Sequence, residues 1–446
     1  ISADPSQNKS KYLNGLQTIE NLNKKSKVQF EIFLVDRTNF PKEVKLYLTV
    51  KDENGNFIAN MAPPFGSKNS ANKYFKNLQD EIDGTPYNIE DYDIEERHDT
   101  LSQKYSFSLV LDHSGSMGTN IDTLHKAVKL FVNKMEKQDK ASIVKFDQFV
   151  VNSVSLTDDK SLLLDNYHYN GLQGFGGGTA LIAAADEGIR TLTDNKTTNI
   201  VILFTDGFEN AYLYSTIIQK TGYAFKPNSL IYNARAANVK LVTVGYGNVD
   251  KDLLEKLSTL TDGKSYYAQN GKELDQIFNE LPRLFHNYYV LKFKPKKIDG
   301  KHSFSMTVAN PDGSEDKITK STYVGKVDLK DLDFMARQCV AFFELKSDEL
   351  KDIYRTYIES FAKYLQMNTK STLEIHGHTD LTGSKEQNME ISKRRCERVA
   401  SEFKKNGVDK SRIKLNPHGM NEPVWFPELD VYQSEQNRRV ELIIKD

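Results

Sequence analysis

The stretch that decides the fold is residues 105–117, YSFSLVLDHSGSM. Its first half is rich in β-branched and other apolar residues, which is typical of a strand buried inside a parallel sheet. Its second half changes abruptly to Asp, Ser and Gly, and therefore predicts a tight loop at the carboxyl end of that strand. In open α/β sheets, ligands bind at this edge. Apolar residues at helical spacing over residues 121–137 predict that a helix follows at once.

Three polar side chains of this loop carry oxygen atoms that could bind a cation. Asp112, Ser114 and Ser116 occupy alternate positions of the turn. Carboxylate and hydroxyl oxygens are hard ligands, which suit Mg²⁺, Mn²⁺ or Ca²⁺ better than Zn²⁺. Taken alone, the pattern fits a capped strand-to-helix turn equally well.

Two later stretches place further oxygen donors at the same edge of the sheet. Glycines 176–178 lead into Thr179, which precedes an Ala-rich helix at residues 180–190. Residues 200–204 form a second apolar strand, and it ends in Thr205 and Asp206. Because the carboxyl ends of parallel strands meet at one edge, the three loops would direct two carboxylates and three hydroxyls to one point.

With these residues in place, the chain resembles the von Willebrand factor type A family with a complete metal-ion-dependent adhesion site. The family pattern is D-x-S-x-S, a Thr after a glycine-rich turn and an Asp in T-D-G, and the resemblance covers roughly residues 103–285. It implies a Rossmann-like, doubly wound α/β domain. It also implies that Ser114, Ser116 and Thr179 ligate a divalent cation, with Asp112 and Asp206 binding it directly or through water. Mg²⁺ is the expected ion, with Mn²⁺ and Ca²⁺ as alternatives, and an acidic residue of a protein partner would complete its coordination.

The composition is that of an ordinary globular protein. The 446 residues are 38% hydrophobic and 27% charged, and the net charge of −1 provides no basic field for nucleic acid. No apolar run reaches the roughly 18 residues of a transmembrane helix, and the length suggests about three domains. The chain begins with Ile1 and not with Met, which indicates processing or trimming. Cys339 and Cys396 make no metal motif, and we expect two buried free thiols and no disulfide.

Strand-like segments flank the type A region on both sides. Residues 28–35 and 44–50 precede it, and residues 288–295, 302–308 and 317–324 follow it. Neither group can bury a good core alone, so we expect both to join into one β-sandwich into which the type A domain is inserted. Residues 1–26, rich in Asn, Lys and Ser, are predicted to be a tether. The acidic run at residues 90–96 is predicted to face solvent.

A compact two-layer α+β unit is predicted from residue 331 onward. Its elements are a strand at 340–345, a helix at 347–365 capped by Ser347, a strand at 372–376, a helix at 385–406 closed by Gly407 and a strand at 439–444. The predicted boundaries are therefore 1–98 for an arm with β-strands, 99–286 for the type A domain, 287–330 for strands that complete a sandwich with 27–60, and 331–446 for the last domain.

The last domain contains a second pattern. Thr379 and Asp380, ten further residues, the sequence ISKRRCERV at 391–399 and a closing NRRV at 437–440 resemble the OmpA C-terminal-like peptidoglycan-binding pattern T-D-x10-L-S-x-x-R-A-x-x-V. Ile391 stands for Leu and Cys396 for Ala. The resemblance implies that the domain binds peptidoglycan through the diaminopimelate of its stem peptide.

Diaminopimelate ends in a zwitterion, so its recognition needs one anion and one planar cation. Asp380 would bind the ammonium group, and Arg395 would bind the carboxylate with its two-pronged guanidinium. The other expected contacts are Thr379, Asn388, Arg438 and Arg439. The alternative is an ion pair between Asp380 and Arg395 that only fixes the loop to the helix, and Arg394 and Arg398 are expected to be solvated.

Other signals in the sequence are weaker. His376 and His378 lie two residues apart and share a strand face, but no third ligand stands at a usual spacing, so no metal site is predicted there. The sequence contains no G-x-S-x-G elbow and no recognisable carboxylate pair or zinc set, so we expect no enzyme.

The sequence thus predicts a non-enzymatic envelope protein that links two surfaces. It would anchor to peptidoglycan and bind an acidic protein partner through a divalent metal, in the periplasm of a diderm bacterium and at the outer membrane through a partner. The alternative is an assembly component of a secretion, motility or motor complex, in which the type A domain is a fixed protein–protein joint. A peptidoglycan hydrolase is the third hypothesis, and metal-dependent partner binding separates the first two.

Overall fold

The computed structural model describes residues 13–23, 25–37, 39–97, 104–169, 178–192, 197–210, 227–298, 300–324, 338–428 and 431–445. Residues 1–12 of the tether predicted over residues 1–26, the glycines at 176 and 177, and the starts of the type A domain at 99 and of the last domain at 331 lie outside these residues. In the described part of the predicted tether, Gln17–Thr18 form a paired strand and Ile19 is buried, so this part packs against the domain. No helix in the described ranges is long and apolar enough to cross a membrane.

The chain before the central domain is mostly β-structure. Its elements are β1 (Gln17–Thr18), β2 (Gln29–Asp36), β3 (Val44–Lys51), β4 (Ile58–Ala59), α1 (Lys68–Tyr74), β5 (Phe75–Ile82), β6 (Thr85–Asn88) and β7 (Tyr92–Arg97). The acidic run does not simply face solvent, because part of it forms β7. Within β7, the Glu96 carboxylate is fully buried and accepts hydrogen bonds from the backbone N–H of Asn60. Burial raises the pKa of Glu96 to about 7.

The central domain is a doubly wound α/β domain, as its sequence predicts. Its elements are β8 (Tyr105–Asp112), α2 (Ile121–Lys134), β9 (Lys140–Phe146), β10 (Val150–Thr157), α3 (Lys160–Tyr169), α4 (Leu181–Thr191), β11 (Thr198–Thr205), α5 (Pro227–Ala236), β12 (Val239–Tyr246), α6 (Lys251–Leu260), β13 (Ser265–Ala268) and α7 (Gly271–His286). The strand order is β10-β9-β8-β11-β12-β13, and every pairing except β10 with β9 is parallel.

The middle of this sheet is covered on both faces. All eight residues of β8 are buried, which explains why its apolar run has no polar side. One face packs against α2 and α7 through Phe131 and Phe278, and the other packs against α4 through Ile182 and Ile189. After β8 the chain adds β9 and β10 on one side of the sheet, and after β11 it adds β12 and β13 on the other side. The topological switch point therefore lies between β8 and β11.

Strands from both sides of the central domain share two further sheets. After α7 the chain forms β14 (Tyr288–Phe293), β15 (Gly300–Ala309) and β16 (Glu315–Val324). One sheet has the order β2-β3-β14-β7, and the other has the order β16-β15-β5-β6. A single apolar cluster joins the two sheets, with Leu46, Tyr289 and Phe304 among its buried members. The chain enters and leaves the central domain through this two-sheet unit.

The C-terminal domain is a four-stranded sheet with helices. Its elements are β17 (Gln338–Phe342), α8 (Asp352–Met367), β18 (Thr372–His378), α9 (Lys385–Lys405), β19 (Ile413–Gly419), α10 (Val431–Asn437) and β20 (Arg439–Lys445). The strand order is β17-β20-β18-β19, and only β18 and β19 are parallel. Ser384 and Gln387 form a capping box at the start of α9. Cys339 and Cys396 are free thiols, and Cys396 is buried.

Two elements of this domain differ from their sequence prediction. The helix starts at Asp352 and not at Ser347, because the carbonyl groups of Glu344 and Ser347 accept hydrogen bonds from the Arg395 side chain and hold this segment as a turn. The sequence analysis did not predict β19. It contains Pro417 and little apolar alternation, which an edge strand tolerates.

Candidate functional site

The first candidate site lies at the carboxyl edge of the central sheet, at the switch point. Asp112 is the last residue of β8, and Asp206 follows directly after β11. These two strands pair in parallel, with Leu111 opposite Phe204. The strand register therefore brings the two carboxylates to the same edge of the sheet.

The Asp112 carboxylate is fully buried and fixed by two neighbours. Its Oδ1 accepts a hydrogen bond of 2.8 Å from the backbone N–H of Ser114, and its Oδ2 accepts one of 2.6 Å from the hydroxyl of Thr205. The pKa of Asp112 is raised to about 6, mainly by burial and to a smaller extent by the nearby Asp206, and the hydrogen bonds from Ser114 and Thr205 oppose the shift. Thr205 has a role that the sequence pattern does not specify, since it orients this carboxylate.

A chain of hydroxyl groups connects the two loops. The Oγ atoms of Ser114 and Ser116 lie 3.1 Å apart, and the Ser116 hydroxyl donates a 2.6 Å hydrogen bond to Oδ1 of Asp206. The pKa of Asp206 is raised, mainly by burial, while hydrogen bonds from Ser116 and Asn120 lower it. Both carboxyl groups thus have raised pKa values.

Thr179 approaches the same point from the loop before α4. A methyl group built at Gly207 would lie 3.4 Å from Oγ1 of Thr179 and 3.5 Å from Oγ of Ser116. Asn210 holds the threonine in place, because its side-chain oxygen accepts the Thr179 N–H at 2.7 Å and its own N–H donates to the Thr179 carbonyl at 3.1 Å. Glu209 likewise accepts the N–H of Ile182 at the start of α4.

The structure thus brings together all five residues predicted for the metal site. Sequence reasoning missed Asn210 and Glu209, although both follow within four residues of Asp206. Only the fold shows that they face the Thr179 loop. Hydroxyl and carboxylate oxygens around an open space fit a hard divalent cation. A cation would favour the ionised forms of both carboxyl groups, whose pKa values burial now raises.

The second candidate site is a pocket of about 550 Å³ in the C-terminal domain. Four of the six residues predicted for ligand binding line it, namely Thr379, Asp380, Asn388 and Arg395. Lys346 and Arg394 also line it, and Arg394 is one of the residues that the sequence analysis assigned to solvent. The charged side chains of the lining are three cations (Lys346, Arg394, Arg395) and three anions (Asp380, Glu386, Glu390).

Asp380 forms an ion pair different from the one weighed in the sequence. Its Oδ2 lies 2.9 Å from Nη1 of Arg438, and its Oδ1 accepts a 3.3 Å hydrogen bond from the N–H of Thr382. Both side chains of the pair are nearly buried. Arg438 therefore binds Asp380 from outside the pocket and does not line it.

Arg395 is almost completely buried on α9. Its Nε, Nη1 and Nη2 donate hydrogen bonds of 2.9, 2.8 and 3.1 Å to the carbonyl oxygens of Ser347, His378 and Glu344. Burial lowers the pKa of Arg395 to about 10, so the guanidinium remains charged at neutral pH. It joins the 344–347 turn and the end of β18 beside the pocket and contributes its positive charge to the lining.

The remaining predicted residues occupy different positions. Asn388 donates a 3.1 Å hydrogen bond to the carbonyl of Thr382 and faces the pocket. The buried hydroxyl of Thr379 has no hydrogen-bond partner among the described residues. Arg439 is buried away from the lining, where its Nε lies 2.6 Å from the Glu441 carboxylate.

Comparison with known proteins finds a family match for each of the two domains. The von Willebrand factor type A family matches residues 108–280, and the OmpA family matches residues 342–436. The peptidoglycan-associated lipoprotein of Legionella pneumophila is 32% identical over 101 residues, which are 23% of this chain and 57% of that protein. The outer-membrane lipoprotein YfiB of Pseudomonas aeruginosa is 32% identical over 97 residues, 22% of this chain and 57% of that protein. The chain thus spans little more than half the length of these relatives.

Two solved structures also show similarity. The peptidoglycan-associated lipoprotein from Burkholderia pseudomallei is 27% identical with a TM-score of 0.23, and the match covers 23% of this chain and 87% of that one. Proximal thread matrix protein 1 from the mussel byssus, described with a zinc-occupied MIDAS motif, is 18% identical with a TM-score of 0.36, and the match covers 43% of this chain and 48% of that one. The family matches show that this chain contains a von Willebrand factor type A domain at residues 108–280 and, after it, an OmpA family domain at residues 342–436.

Proposed function

We propose that this chain is a non-enzymatic cell-envelope protein that holds peptidoglycan with its OmpA domain and a protein partner with its type A domain. The observation that carries the proposal is the pocket containing Asp380 and Arg395, on a domain whose relatives include peptidoglycan-associated lipoproteins. The same relatives support a location in the periplasm of a diderm bacterium, at the outer membrane.

The charges of the pocket fit a zwitterionic ligand. Three cations and three anions line it, so neither a polyanion nor a polycation matches it as well as a group that carries both charges. Leu345 and Ile391 add apolar surface for a short methylene chain. The free end of diaminopimelate has these properties, with an ammonium group for Asp380 and a carboxylate for the guanidinium of Arg395 and the exposed Arg394.

A titration with two stem peptides tests this assignment. One peptide ends in diaminopimelate, and the other ends in lysine, which lacks only the terminal carboxylate. Because one charge-assisted hydrogen bond contributes about 1.5–3 kcal/mol, we expect the lysine peptide to bind roughly 10- to 100-fold more weakly. Arg394→Ala should reduce this preference, and Arg398→Ala, on the same helix but outside the pocket lining, should not. Equal affinity for the two peptides would disprove the assignment.

In the type A domain, the proposed ligands of the metal are Ser114, Ser116 and Thr179. Asp112 and Asp206 would hold the ion directly or through water, and Mg²⁺ is the expected ion with Mn²⁺ and Ca²⁺ as alternatives. When bound, the ion supplies a Lewis-acidic position for a carboxylate of the partner. Ser116 and Gly207 lie on the side of this site that solvent reaches, whereas Asp112 lies on its buried side.

The partner chemistry can be tested with Mn²⁺ as the probe. A peptide carrying a glutamate should replace water on Mn²⁺ bound to the protein and reduce the proton relaxation of the solvent. The same peptide with glutamine is the control and should not do so. Identical effects of the two peptides would contradict carboxylate binding.

The two binding domains pack directly against each other. The guanidinium carbon of Arg190 on α4 lies 4.4 Å from the centre of the Phe342 ring on β17. The rings of Tyr232 on α5 and Phe361 on α8 lie 4.6 Å apart. One apolar cluster includes buried residues of both domains. A load applied at the type A domain would therefore reach the peptidoglycan-binding domain through packed side chains.

A further inference from the structure

A cluster of three histidines lies near the carboxyl ends of the parallel strands β18 and β19, apart from the type A metal site. His376 and His378 share one face of β18, as their spacing predicts, and His418 of the neighbouring strand lies next to both with its ring nearly parallel to theirs. The ring centroids are 5.1 Å apart for His376 and His418 and 4.8 Å apart for His378 and His418, with planes within 9° of parallel. The third imidazole comes from the strand that the sequence analysis did not predict.

A carboxylate completes a possible ligand set. Oε1 of Glu422 lies 3.1 Å from Nδ1 of His418. Nitrogen or oxygen atoms of His378, His418 and Glu422 all lie within 4.8 Å of one another. Ligands at 2.0–2.1 Å from a tetrahedral metal ion are about 3.3 Å apart, so the side chains would rotate to bring their ligand atoms around an ion.

The buried side chain of His378 provides independent support for an ion-binding site. Its side chain is fully buried, and neither ring nitrogen has a hydrogen-bond partner in the part of the chain that the structure describes. The Glu441 carboxylate lies 3.6 Å from Nε2, which is longer than a hydrogen bond. Burying a polar group without a hydrogen-bond partner is unfavourable, and a bound metal ion would remove that penalty.

We propose that His378, His418 and Glu422 form a binding site for a borderline transition-metal ion such as Zn²⁺. Two imidazoles and one carboxylate are a common protein ligand set for this ion, with water in the fourth position. Oxygen-rich sites select Mg²⁺ or Ca²⁺, and this set does not. The partly exposed side chains of His418 and Glu422 give the ion access from solvent.

The surroundings of the cluster support metal binding. Nδ1 of His376 lies 2.9 Å from Nε2 of His418. If Nδ1 of His418 binds the ion, His376 can therefore accept the proton on the other nitrogen and orient the ring.

This site borders the peptidoglycan pocket without belonging to it. The carbonyl oxygen of His378 accepts the hydrogen bond from Arg395, and the N–H of Thr379 donates to the carbonyl of Gly419. His378 and His418 thus come directly before Thr379 and Gly419, the two residues that this backbone hydrogen bond joins. A bound ion would join the ends of β18 and β19 directly behind the pocket loop.

The test is zinc binding by the full chain after treatment with a chelator. Asp112→Asn serves as the background, because it disables the type A site. Competition with a chromophoric chelator should show one Zn²⁺ bound, and Co²⁺ in its place should give the visible absorption bands of tetrahedral coordination. His418→Ala and Glu422→Gln, introduced separately, should each weaken binding at least about tenfold. His125→Ala, which removes a partly buried imidazole elsewhere, should leave it unchanged.

Two results would overturn the proposal. One is the absence of zinc binding at micromolar concentrations in the Asp112→Asn background. The other is binding that persists undiminished in both ligand variants. Thermal melts without metal show whether the variants are folded, and a zinc-dependent rise in melting temperature that His418→Ala abolishes would provide a second measure of the same site.

Discussion

Asp112→Asn should stabilise the protein in the absence of metal while abolishing its response to Mg²⁺. The pKa of the buried carboxyl rises from its ordinary value of 3.8 to about 6. A tenfold change in proton affinity corresponds to about 1.36 kcal/mol, so keeping Asp112 ionised in the folded protein costs about 3 kcal/mol at neutral pH. Asn has the same shape and carries no charge. It can accept the N–H of Ser114 and donate to the hydroxyl of Thr205, which now donates to Asp112.

The pH dependence follows from the direction of this shift. The folded protein binds the Asp112 proton more tightly than the unfolded chain does. Protonated Asp112 therefore makes its full contribution to the stability of the wild type below about pH 4. The wild type loses that stability as the pH rises through about 6. The advantage of Asp112→Asn should therefore be absent near pH 4, grow up to about pH 6 and remain constant above it.

Calorimetry in chelator measures the effect. The transition that Mg²⁺ raises in the wild type identifies the type A domain. At pH 7.5 we expect Asp112→Asn to gain about 1–3 kcal/mol, which corresponds to about 2–4 °C per kcal/mol for a domain of this size. Mg²⁺ should then raise the melting temperature of the wild type and not that of the variant. A variant that melts at or below the wild-type temperature in chelator at pH 7.5 would refute the reasoning.

Three further variants or fragments test other parts of the structure. Gly207→Ala places a methyl group beside the hydroxyls of Ser116 and Thr179, two of the proposed metal ligands, so Mg²⁺ affinity should fall at least about tenfold by calorimetric titration while the metal-free melting temperature stays unchanged. Phe361→Ala removes the ring that packs on Tyr232 between the domains and should cost about 3–5 kcal/mol in unfolding experiments, and a loss below about 1 kcal/mol would contradict the packed interface. Limited proteolysis should not release residues 1–98 as a folded fragment, because their strands pair with those of residues 287–330.

That Asp112 and Asp206 lie close together could be predicted, because it follows from the order of the parallel strands. The apolar runs before Asp112 and Asp206 mark two parallel strands, and the carboxyl ends of parallel strands meet at one edge. Asn210 could not be predicted in this way. Its role depends on how the Thr179 loop folds back toward β11, which no local periodicity records.

Tertiary contacts explain the elements that were predicted wrongly in the C-terminal domain. Ser347 has the residue type and spacing of a helix cap, but its carbonyl accepts a hydrogen bond from Arg395, 48 residues away. The helix therefore begins later. His418 was not recognised as a third imidazole because it belongs to an edge strand interrupted by Pro417, 42 residues from His376.

The sequence also did not show which charged side chains are buried. Glu96 belongs to a run of acidic residues that reads as solvent-facing, yet its carboxylate is fully buried, accepts backbone N–H groups and has a pKa of about 7. Only the pairing of β7 with β14 places it inside the two-sheet unit. The composition gives the number of charged residues, but it does not show which of them point into the protein and which point to solvent.

Sedimentation of the full chain with purified sacculi tests the wall-binding claim most directly. The wild type is compared with Asp380→Asn, which keeps the shape of the side chain and removes its charge, and with Arg398→Ala as the control outside the pocket. Melting temperatures confirm that each variant is folded. We predict that the wild type and Arg398→Ala sediment with the sacculi and that Asp380→Asn binds at least about tenfold more weakly. Undiminished sedimentation of folded Asp380→Asn would contradict peptidoglycan binding through this pocket.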